Sequence, residues 1–186
     1  MTRASTQTVR YTRVAITLHW LIALMIIGLL AFGVLMTNEA IPNRFALYQW
    51  HKSFGITVLF LSFVRLFWRL GHKPPPLPDG TKGWEIAASK LTHIGFYVLM
   101  IGMPLIGWAM VSASKLPIPT VLFYTIPWPN MPGIPRDEGL EDLLKLFHEI
   151  GGKLMIALIL LHFAAAMKHH FIAKDGLLSR MGIGRS

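Results

Sequence analysis

The amino-acid sequence predicts an all-α membrane protein, a bundle of four transmembrane helices with both termini on the cytoplasmic side. Hydrophobic residues make up 53% of the chain and charged residues only 15%, and the mean hydropathy of +0.50 exceeds that of ordinary soluble domains. The apolar residues are also gathered into runs of roughly 20, the length that crosses a hydrocarbon core about 30 Å thick. A soluble all-helical protein is the alternative class, and these long runs argue against it.

The four predicted spans are roughly 14–36, 45–70, 93–111 and 140–171, and they make residues 1–186 a single membrane domain. Gly102, Pro104 and Gly107 interrupt the third span, where we expect a kink. Two proline-rich segments, 71–83 and 114–136, separate the spans and cannot be regular helices. The second of these carries aromatic residues that suit the membrane interface. An acidic group opens the fourth helix, where it favours the positive end of the helix dipole. Its members are Asp137, Glu138, Glu141 and Asp142.

The distribution of Lys and Arg predicts the orientation. With four spans both termini lie on one side, and that side carries twelve cations against three acids, whereas the other side carries six of each. The twelve cations are Arg3, Arg10, Arg13, Arg65, Arg69, Lys73, Lys82, Lys90, Lys168, Lys174, Arg180 and Arg185, and the acids are Asp79, Glu85 and Asp175. Because cytoplasmic loops carry the excess of cations, we expect the termini in the cytoplasm. The net charge of +9 therefore needs no nucleic-acid partner to explain it.

The chain contains no cysteine. This excludes disulfides, cysteine-ligated zinc, iron–sulfur clusters and covalent haem attachment through C-x-x-C-H. Any metal must therefore be held by histidine, methionine or carboxylate side chains. A histidine within a membrane helix is energetically costly, and by default it indicates a functional site.

Four histidines lie at two matching depths. His19 and His162 are each six residues inside the nearest cation of the cytoplasmic boundary, about 9 Å along a helix. His51 and His148 lie near the outer ends of the second and fourth helices. His148 and His162 are 14 residues apart, which is two heptads and about 21 Å, so both rings share one inward face.

This arrangement predicts two haem b groups, because haem iron takes one axial imidazole from each side and the two ligands must come from different helices. We expect His19 and His162 to hold the inner iron, and His51 and His148 to hold the outer iron. Small residues one turn beyond the ligands leave space for a flat macrocycle; they are Gly55, Gly151, Gly152 and Ala164–Ala166. Structural zinc fits less well because it needs four clustered ligands. A haem-free helical scaffold or metal transporter is a further alternative.

Other residues on these helices receive secondary roles. Arg65 follows His51 by 14 residues, so we assign it to the propionates or surroundings of the inner haem. His169, one heptad beyond His162, is a candidate for binding a quinone headgroup. His93, at the start of the third span, is the rival of His19 as inner ligand. Lys153 either extends its amine outward to the membrane surface, pairs with an outer propionate or guides an anionic substrate.

Several motifs match one known family in order and spacing. They are the HW of His19–Trp20, HKSFGI and VRLFWRL in the second span, H-x-G and P-x-x-G in the third, and HE followed by LHFAAAMKHHF in the fourth. The chain resembles the bacterial cytochrome b561 family, which are four-helix di-haem b proteins of the inner membrane. The resemblance covers nearly the whole chain. It implies the same pairing of the four histidines, and it associates His169 with the quinone site.

The resemblance also implies a function. Members of this family look like superoxide oxidases that reduce ubiquinone, so we expect an oxidoreductase that oxidises periplasmic superoxide and reduces ubiquinone. Outer cations would steer superoxide, although the acidic group opposes them; these cations are Arg44, Lys52, Lys145 and Lys153. The alternative is a membrane cytochrome b subunit that relays electrons from a periplasmic partner dehydrogenase to quinone, with the proline-rich loop as its docking surface.

Overall fold

Four long helices form the protein in the computed structural model, which describes residues 10–78, 80–116 and 118–183. They are α1 (Arg13–Met36), α2 (Arg44–Gly71), α3 (Gly83–Ala113) and α4 (Glu138–Met167). All four are long and apolar enough to cross a membrane, which confirms the predicted four-helix membrane fold. Arg3, Asp79 and Arg185 of the charge distribution lie outside the described residues, and the cytoplasmic position of the termini stays a prediction.

The observed helices differ most from the predicted spans at the start of α3. This helix begins at Gly83, ten residues before the predicted span, because its polar first turns are helical too. The main-chain N–H of Lys82 donates to Glu85 Oε2 at 3.2 Å, and this hydrogen bond caps the N-terminus of α3. The helix continues through Pro104 without ending there. At the start of α4, Asp137 caps the helix by accepting a hydrogen bond from the Leu140 N–H at 2.8 Å, as the acidic group predicts.

The end of α4 changes its helical geometry. Lys168–Ala173 form a π-helical segment, and a 3₁₀ turn at Leu178–Met181 follows. The indole N–H of Trp20 on α1 donates to the Met181 carbonyl at 3.1 Å, so the tail packs against the start of the bundle. Because a π-helix has a different repeat from an α-helix, the heptad relation between His162 and His169 does not hold beyond Met167.

The proline-rich segment between α3 and α4 forms a small hairpin. Strands β1 (Thr120–Leu122) and β2 (Ile126–Trp128) pair antiparallel. The hairpin is fixed to the first turns of α2, where Ser53 Oγ accepts from the Phe123 N–H at 2.9 Å and Gln49 Nε2 donates to the Pro119 carbonyl at 3.0 Å. It therefore covers the end of the bundle near His51.

The helices pack in chain order. The close backbone contacts are those of α1 with α2, α2 with α3, and α3 with α4, whereas α1 and α4 make no comparable contact in the described residues. One buried cluster joins all four helices at mid-depth, and its members are Ile22, Ile26, Val58, Met100 and Met155. On the outer surface Leu24 and Phe67 are each 67% exposed, as expected for side chains that face lipid.

Candidate functional site

The structure brings together the histidines that the sequence pairs. The ring centroids of His19 on α1 and His162 on α4 lie 6.2 Å apart, and we call these two the inner pair. The centroids of His51 on α2 and His148 on α4 lie 6.1 Å apart, and we call these the outer pair. The inner end of the bundle is the end that carries both termini. Ligation of iron by the four residues stays a prediction.

Both centroid distances suit two imidazoles that share one metal ion. Two metal–nitrogen bonds of about 2 Å, together with half of each ring, separate the ring centres by roughly 6 Å. The rings in each pair are also steeply inclined to each other, at 65° and 67°, rather than stacked. Stacked rings in direct contact would leave no position for an atom between them.

The outer pair also has unsatisfied ring nitrogens. The Nδ1 atoms of His51 and His148 are buried and make no close hydrogen bond among the described residues, although the backbone of Leu29 lies near the first ring and that of Met103 near the second. A buried polar atom without a partner costs about 1–3 kcal/mol. An imidazole has two ring nitrogens, and in metalloproteins the metal takes one while the protein orients the other. The chemistry of both rings therefore fits a metal-bound group better than a purely structural role.

His93 also lies close to the inner pair, with its ring centroid 5.8 Å from that of His162. Centroid distance therefore does not separate His93 from His19. Helix packing distinguishes the two histidines, because α3 and α4 are in direct contact beside His93. A Cβ atom added at Gly95 would lie 3.0 Å from Leu158 Cδ1. A flat macrocycle has no space between helices this close, whereas α1 and α4 are not closely packed. This difference supports His19 as the partner of His162.

Glycines near the histidines have two distinct surroundings. A Cβ at Gly55 or Gly152 would meet no heavy atom within 4 Å, which is consistent with space for a cofactor. Gly151 differs from the expectation, because a Cβ there would collide with Sδ of Met103. Gly107, expected only to interrupt the third span, has a contact that the sequence did not indicate: a Cβ at this position would lie 3.2 Å from His148 Cε1. Gly151 and Gly107 thus let α3 and α4 approach each other.

The two pairs are separated by the mid-depth cluster. Met155 is seven residues from both His148 and His162 and is only 5% exposed, so it lies between the two levels as its place on the ligand face predicts. Ile22, Ile26, Val58 and Met100 surround it. This cluster, which we call the apolar layer, therefore lies between the two histidine levels.

Arg65 reaches the inner level from α2. Its Nη1 donates to the Ala15 carbonyl at 2.9 Å, and its Nη2 lies 3.4 Å from His19 Nδ1. The expected placement of Arg65 level with the inner pair therefore agrees with the structure. Its contact is with the His19 ring, and the assignment of Arg65 to the propionates or surroundings of the inner haem stays a prediction.

The outer cations differ in how their charge is balanced. Arg44 pairs with Glu39 at 3.7 Å, and Lys153 pairs with Glu149 at 2.7 Å. Lys52 instead donates to the Pro119 carbonyl at 3.4 Å, beside the hairpin and next in sequence to His51. It makes no ion pair within the part of the chain that the structure describes. Lys145 is likewise without an ion pair in the described residues, so Lys52 is distinguished by its place beside His51 and the hairpin.

His169 makes a contact that was not foreseen. Its Nδ1 lies 2.5 Å from Asp175 Oδ2, and both side chains are largely buried, at 15% and 17% exposed. The second carboxylate oxygen, Oδ1, accepts from the Leu177 N–H at 3.1 Å. Asp175 thus ties the π-helical segment to the C-terminal tail and orients the His169 ring. Nothing in the sequence pattern indicated this, since Asp175 lies beyond the last span.

A zinc site receives no support from the side chains. Within residues 10–78, 80–116 and 118–183, no group of three or more His, Asp or Glu side chains is arranged to hold a metal ion. Pairs of imidazoles suit haem iron, which takes its other four ligands from the macrocycle and needs only two from the protein.

Comparison with known proteins identifies relatives over nearly the whole chain. A family model described as prokaryotic cytochrome b561 matches residues 10–184. The chain is 29% identical to cytochrome b561 homolog 2 of Escherichia coli, over 95% of this chain and 93% of the relative. It is 28% identical to cytochrome b561 homolog 1 of the same organism, over 92% and 96%. It is 26% identical to a protein of Yersinia pestis named probable superoxide oxidase CybB, over 92% and 95%.

Proposed function

The chain belongs to the prokaryotic cytochrome b561 family, and from this we propose that it is a di-haem b oxidoreductase that oxidises superoxide and reduces ubiquinone. Membership makes it a haem-containing electron-transfer protein of the bacterial inner membrane, crossing the bilayer several times. The proposal adds the number of haems, the donor, the acceptor and an orientation with both termini in the cytoplasm. The observation that carries it is the presence of two histidine pairs with centroids 6.1 and 6.2 Å apart at two levels.

Each residue of the two pairs has one task in this proposal. His19 and His162 hold the inner iron, and His51 and His148 hold the outer iron. Haem iron would supply reversible one-electron chemistry there, and the two imidazoles of each pair would leave it no open position for oxygen. The apolar layer around Met155 keeps water and protons from passing between the two levels.

The proposed net reaction balances in electrons and protons. Two superoxide ions lose one electron each and leave as dioxygen, while one ubiquinone gains two electrons and two protons and leaves as ubiquinol. At the outer end Lys52 attracts the anionic donor. The Y. pestis relative named as a probable superoxide oxidase supports this choice of donor.

His169 and Asp175 form the proposed proton-donating unit at the inner end. The Asp175 carboxylate holds Nδ1 of the ring at 2.5 Å, which orients the imidazole and leaves Nε2 to act on a quinone oxygen. A base oriented by a carboxylate is a recurring arrangement for general acid–base catalysis. In this role His169 passes protons from the cytoplasm, and Asp175 positions it.

Haem stoichiometry tests the cofactor part of the proposal. A reduced-minus-oxidised spectrum of the purified protein, with a haem assay against protein concentration, should give two b-type haems per chain. One haem per chain would mean that one of the two histidine pairs does not bind haem. A preparation that has no b-type spectrum after expression with sufficient haem would contradict both.

Rapid mixing tests the donor. Superoxide mixed with the oxidised protein should reduce the haem faster than the background reaction, and catalase and superoxide dismutase serve as controls. Addition of a soluble ubiquinone should then reoxidise it. If superoxide dismutase leaves the reduction rate unchanged, superoxide is not the donor.

The alternative function is a cytochrome b subunit that relays electrons from a periplasmic partner dehydrogenase to quinone. The hairpin supports it, since Tyr124 and Ile126 at its tip are 52% and 55% exposed. Purification from native membranes discriminates the two functions. A stoichiometric dehydrogenase that reduces the haem on addition of its own substrate favours the subunit, whereas an isolated protein that consumes superoxide favours the enzyme.

A further inference from the structure

A basic cavity lies at the inner end of the bundle, where α1, α2 and α3 meet the first proline-rich segment. Its volume is ≈ 190 Å³. Four cations line it, namely Arg10, Arg65, Arg69 and Lys73, and no carboxylate belongs to its lining within the described residues. None of the four makes an ion pair in that part of the chain, although Lys168 at the same end is paired with Glu85.

The cavity is built by one face of α2. Arg65, Trp68, Arg69 and His72 follow one another at helical spacing, so their side chains lie on the same side of the helix. The indole N–H of Trp68 donates to Thr12 Oγ1 at 2.9 Å and fixes the wall shared with α1. The Arg69 guanidinium lies over the Tyr97 ring, 5.9 Å from its centroid, and fixes the wall shared with α3.

Tyr97 adds a buried polar group to the lining. Its hydroxyl faces the Arg65 guanidinium and makes no close hydrogen bond in the described chain, and the residue lines the cavity together with the cations. A buried hydroxyl is normally hydrogen-bonded. Four cationic side chains and a hydroxyl donor around one small space provide the donors that bind an oxyanion.

We propose that this cavity binds a phosphate group, and that its source is the headgroup of an anionic phospholipid. Basic cavities between transmembrane helices near the cytoplasmic surface are typical sites for such headgroups. The volume is below the roughly 300 Å³ at which sites for drug-sized ligands begin, so it suits a phosphate better than a quinone ring. Leu70, next to Arg69, is 73% exposed and provides an apolar surface for an acyl chain.

Two alternative explanations exist for these cations, namely the membrane topology and the propionates of the inner haem. The positive-inside distribution accounts for cations at this end of the molecule, but not for their convergence on one cavity with a buried hydroxyl. The propionates of the inner haem could also use the cavity, since Arg65 contacts His19. Arg69 lies one helical turn beyond Arg65, about 6 Å farther along the axis of α2, and Lys73 lies in the extended segment after α2 ends at Gly71. The test therefore leaves Arg65 intact.

The first experiment compares retained lipid in holoprotein purified in mild detergent, using native mass spectrometry. The wild type should keep phosphatidylglycerol or cardiolipin, and Arg69→Gln combined with Lys73→Gln should lower the retained amount about tenfold or more. Lys90→Gln combined with Lys174→Gln removes two exposed cations of the same end outside the cavity and should retain lipid as the wild type does. Arg69→Lys, which keeps the charge, should retain it largely.

The second experiment distinguishes the sources of the phosphate. Thermal unfolding is measured with phosphatidylglycerol, with zwitterionic phosphatidylcholine and with inorganic phosphate. Stabilisation by phosphatidylglycerol alone, lost in the Arg69/Lys73 double variant, supports the lipid headgroup. Stabilisation by inorganic phosphate alone, lost in the same variant, retains the phosphate site but contradicts its lipid source. Equal stabilisation of the wild type and the double variant by every additive overturns the site.

Haem content separates this site from the haem pocket. The double variant should retain the full haem-to-protein ratio of the wild type. A proportional loss of inner haem in that variant would assign the cations to the haem propionates and overturn the phosphate site. This outcome leaves the proposed electron-transfer function intact, so the two proposals fail independently.

Discussion

The guanidinium of Arg65 lies 3.4 Å from Nδ1 of His19 and places a positive charge behind the ring proposed to hold the inner iron. A cation stabilises the reduced, less positively charged state of the iron. At roughly 8 Å and an effective dielectric constant of about 20, the interaction is worth roughly 2 kcal/mol. We therefore expect Arg65→Ala to lower the midpoint potential of the inner haem by on the order of 90 mV. Potentiometric titration measures it, with Lys90→Ala as control, and an unchanged potential would contradict this role.

The close packing of α3 on α4 predicts which histidine pairs with His162. Because Gly95 and Leu158 bring the two helices into contact beside His93, His19→Ala should lower the haem content from two per chain to about one, while His93→Ala should keep both. Haem assay and spectra of the two variants measure this. If His93→Ala loses a haem and His19→Ala keeps both, the inner pair is His93 with His162.

Gly107 predicts a steric effect on the outer pair. A Cβ at this position would lie 3.2 Å from His148 Cε1, so the larger side chain of Gly107→Val must displace the imidazole. Overpacking of this kind costs about 1–3 kcal/mol, and the affinity for the outer haem should fall about tenfold or more. The control is Gly102→Val on the same helix, because a Cβ at Gly102 meets no heavy atom within 4 Å. Equal haem loss in both variants would indicate a general effect on α3.

Lys52 predicts an electrostatic effect on the donor. Its amine makes no ion pair in the described residues and lies beside the hairpin, so Lys52→Gln should slow reduction by superoxide about threefold at low ionic strength. The difference should shrink at high salt because the field is screened. Lys115→Gln is the matched control, since Lys115 is already paired with Glu138 at 3.2 Å. Steering by Lys52 is excluded if the rate of reduction by superoxide falls equally in both variants, or if the difference between Lys52→Gln and the wild type does not depend on ionic strength.

Asp175 predicts an effect limited to the acceptor. Asp175→Asn weakens the hold on His169 Nδ1, and ubiquinone reduction should slow about tenfold or more. Haem content and reduction by superoxide should not change, because the outer end is untouched. The control is Glu85→Gln, which breaks another contact of the same segment through Lys168. If Glu85→Gln slows quinone reduction as much as Asp175→Asn, Asp175 acts only through the stability of the tail.

The parts of this fold that the sequence could predict depend on long-range regularity. Apolar runs of membrane length define the four helices, and a heptad relation on a straight α-helix is enough to place His148 and His162 on one face. Matching depth then pairs each of them with a histidine on another helix. Both steps need only the rise and the repeat of an α-helix, which do not depend on neighbouring side chains.

The remaining features depend on local contacts that no periodic pattern encodes. The polar first turns of α3 are helical in the structure, although their composition resembles a linker. The π-helical segment follows an uninterrupted helical pattern, so His169 and its contact with Asp175 could not be placed by counting residues. Residues 120–128 form a hairpin held by Gln49 and Ser53, which are distant in the sequence.

The separation of the two histidine levels makes the proposed electron transfer sensitive to the membrane potential. The two levels are about 21 Å apart along α4, which is about two thirds of a hydrocarbon core of about 30 Å. An electron that passes between them therefore moves through a corresponding share of the membrane potential, about 1.5 kcal/mol per 100 mV. In the proposed orientation it moves toward the negative side, so each turnover adds to the membrane potential and a high potential slows the reaction.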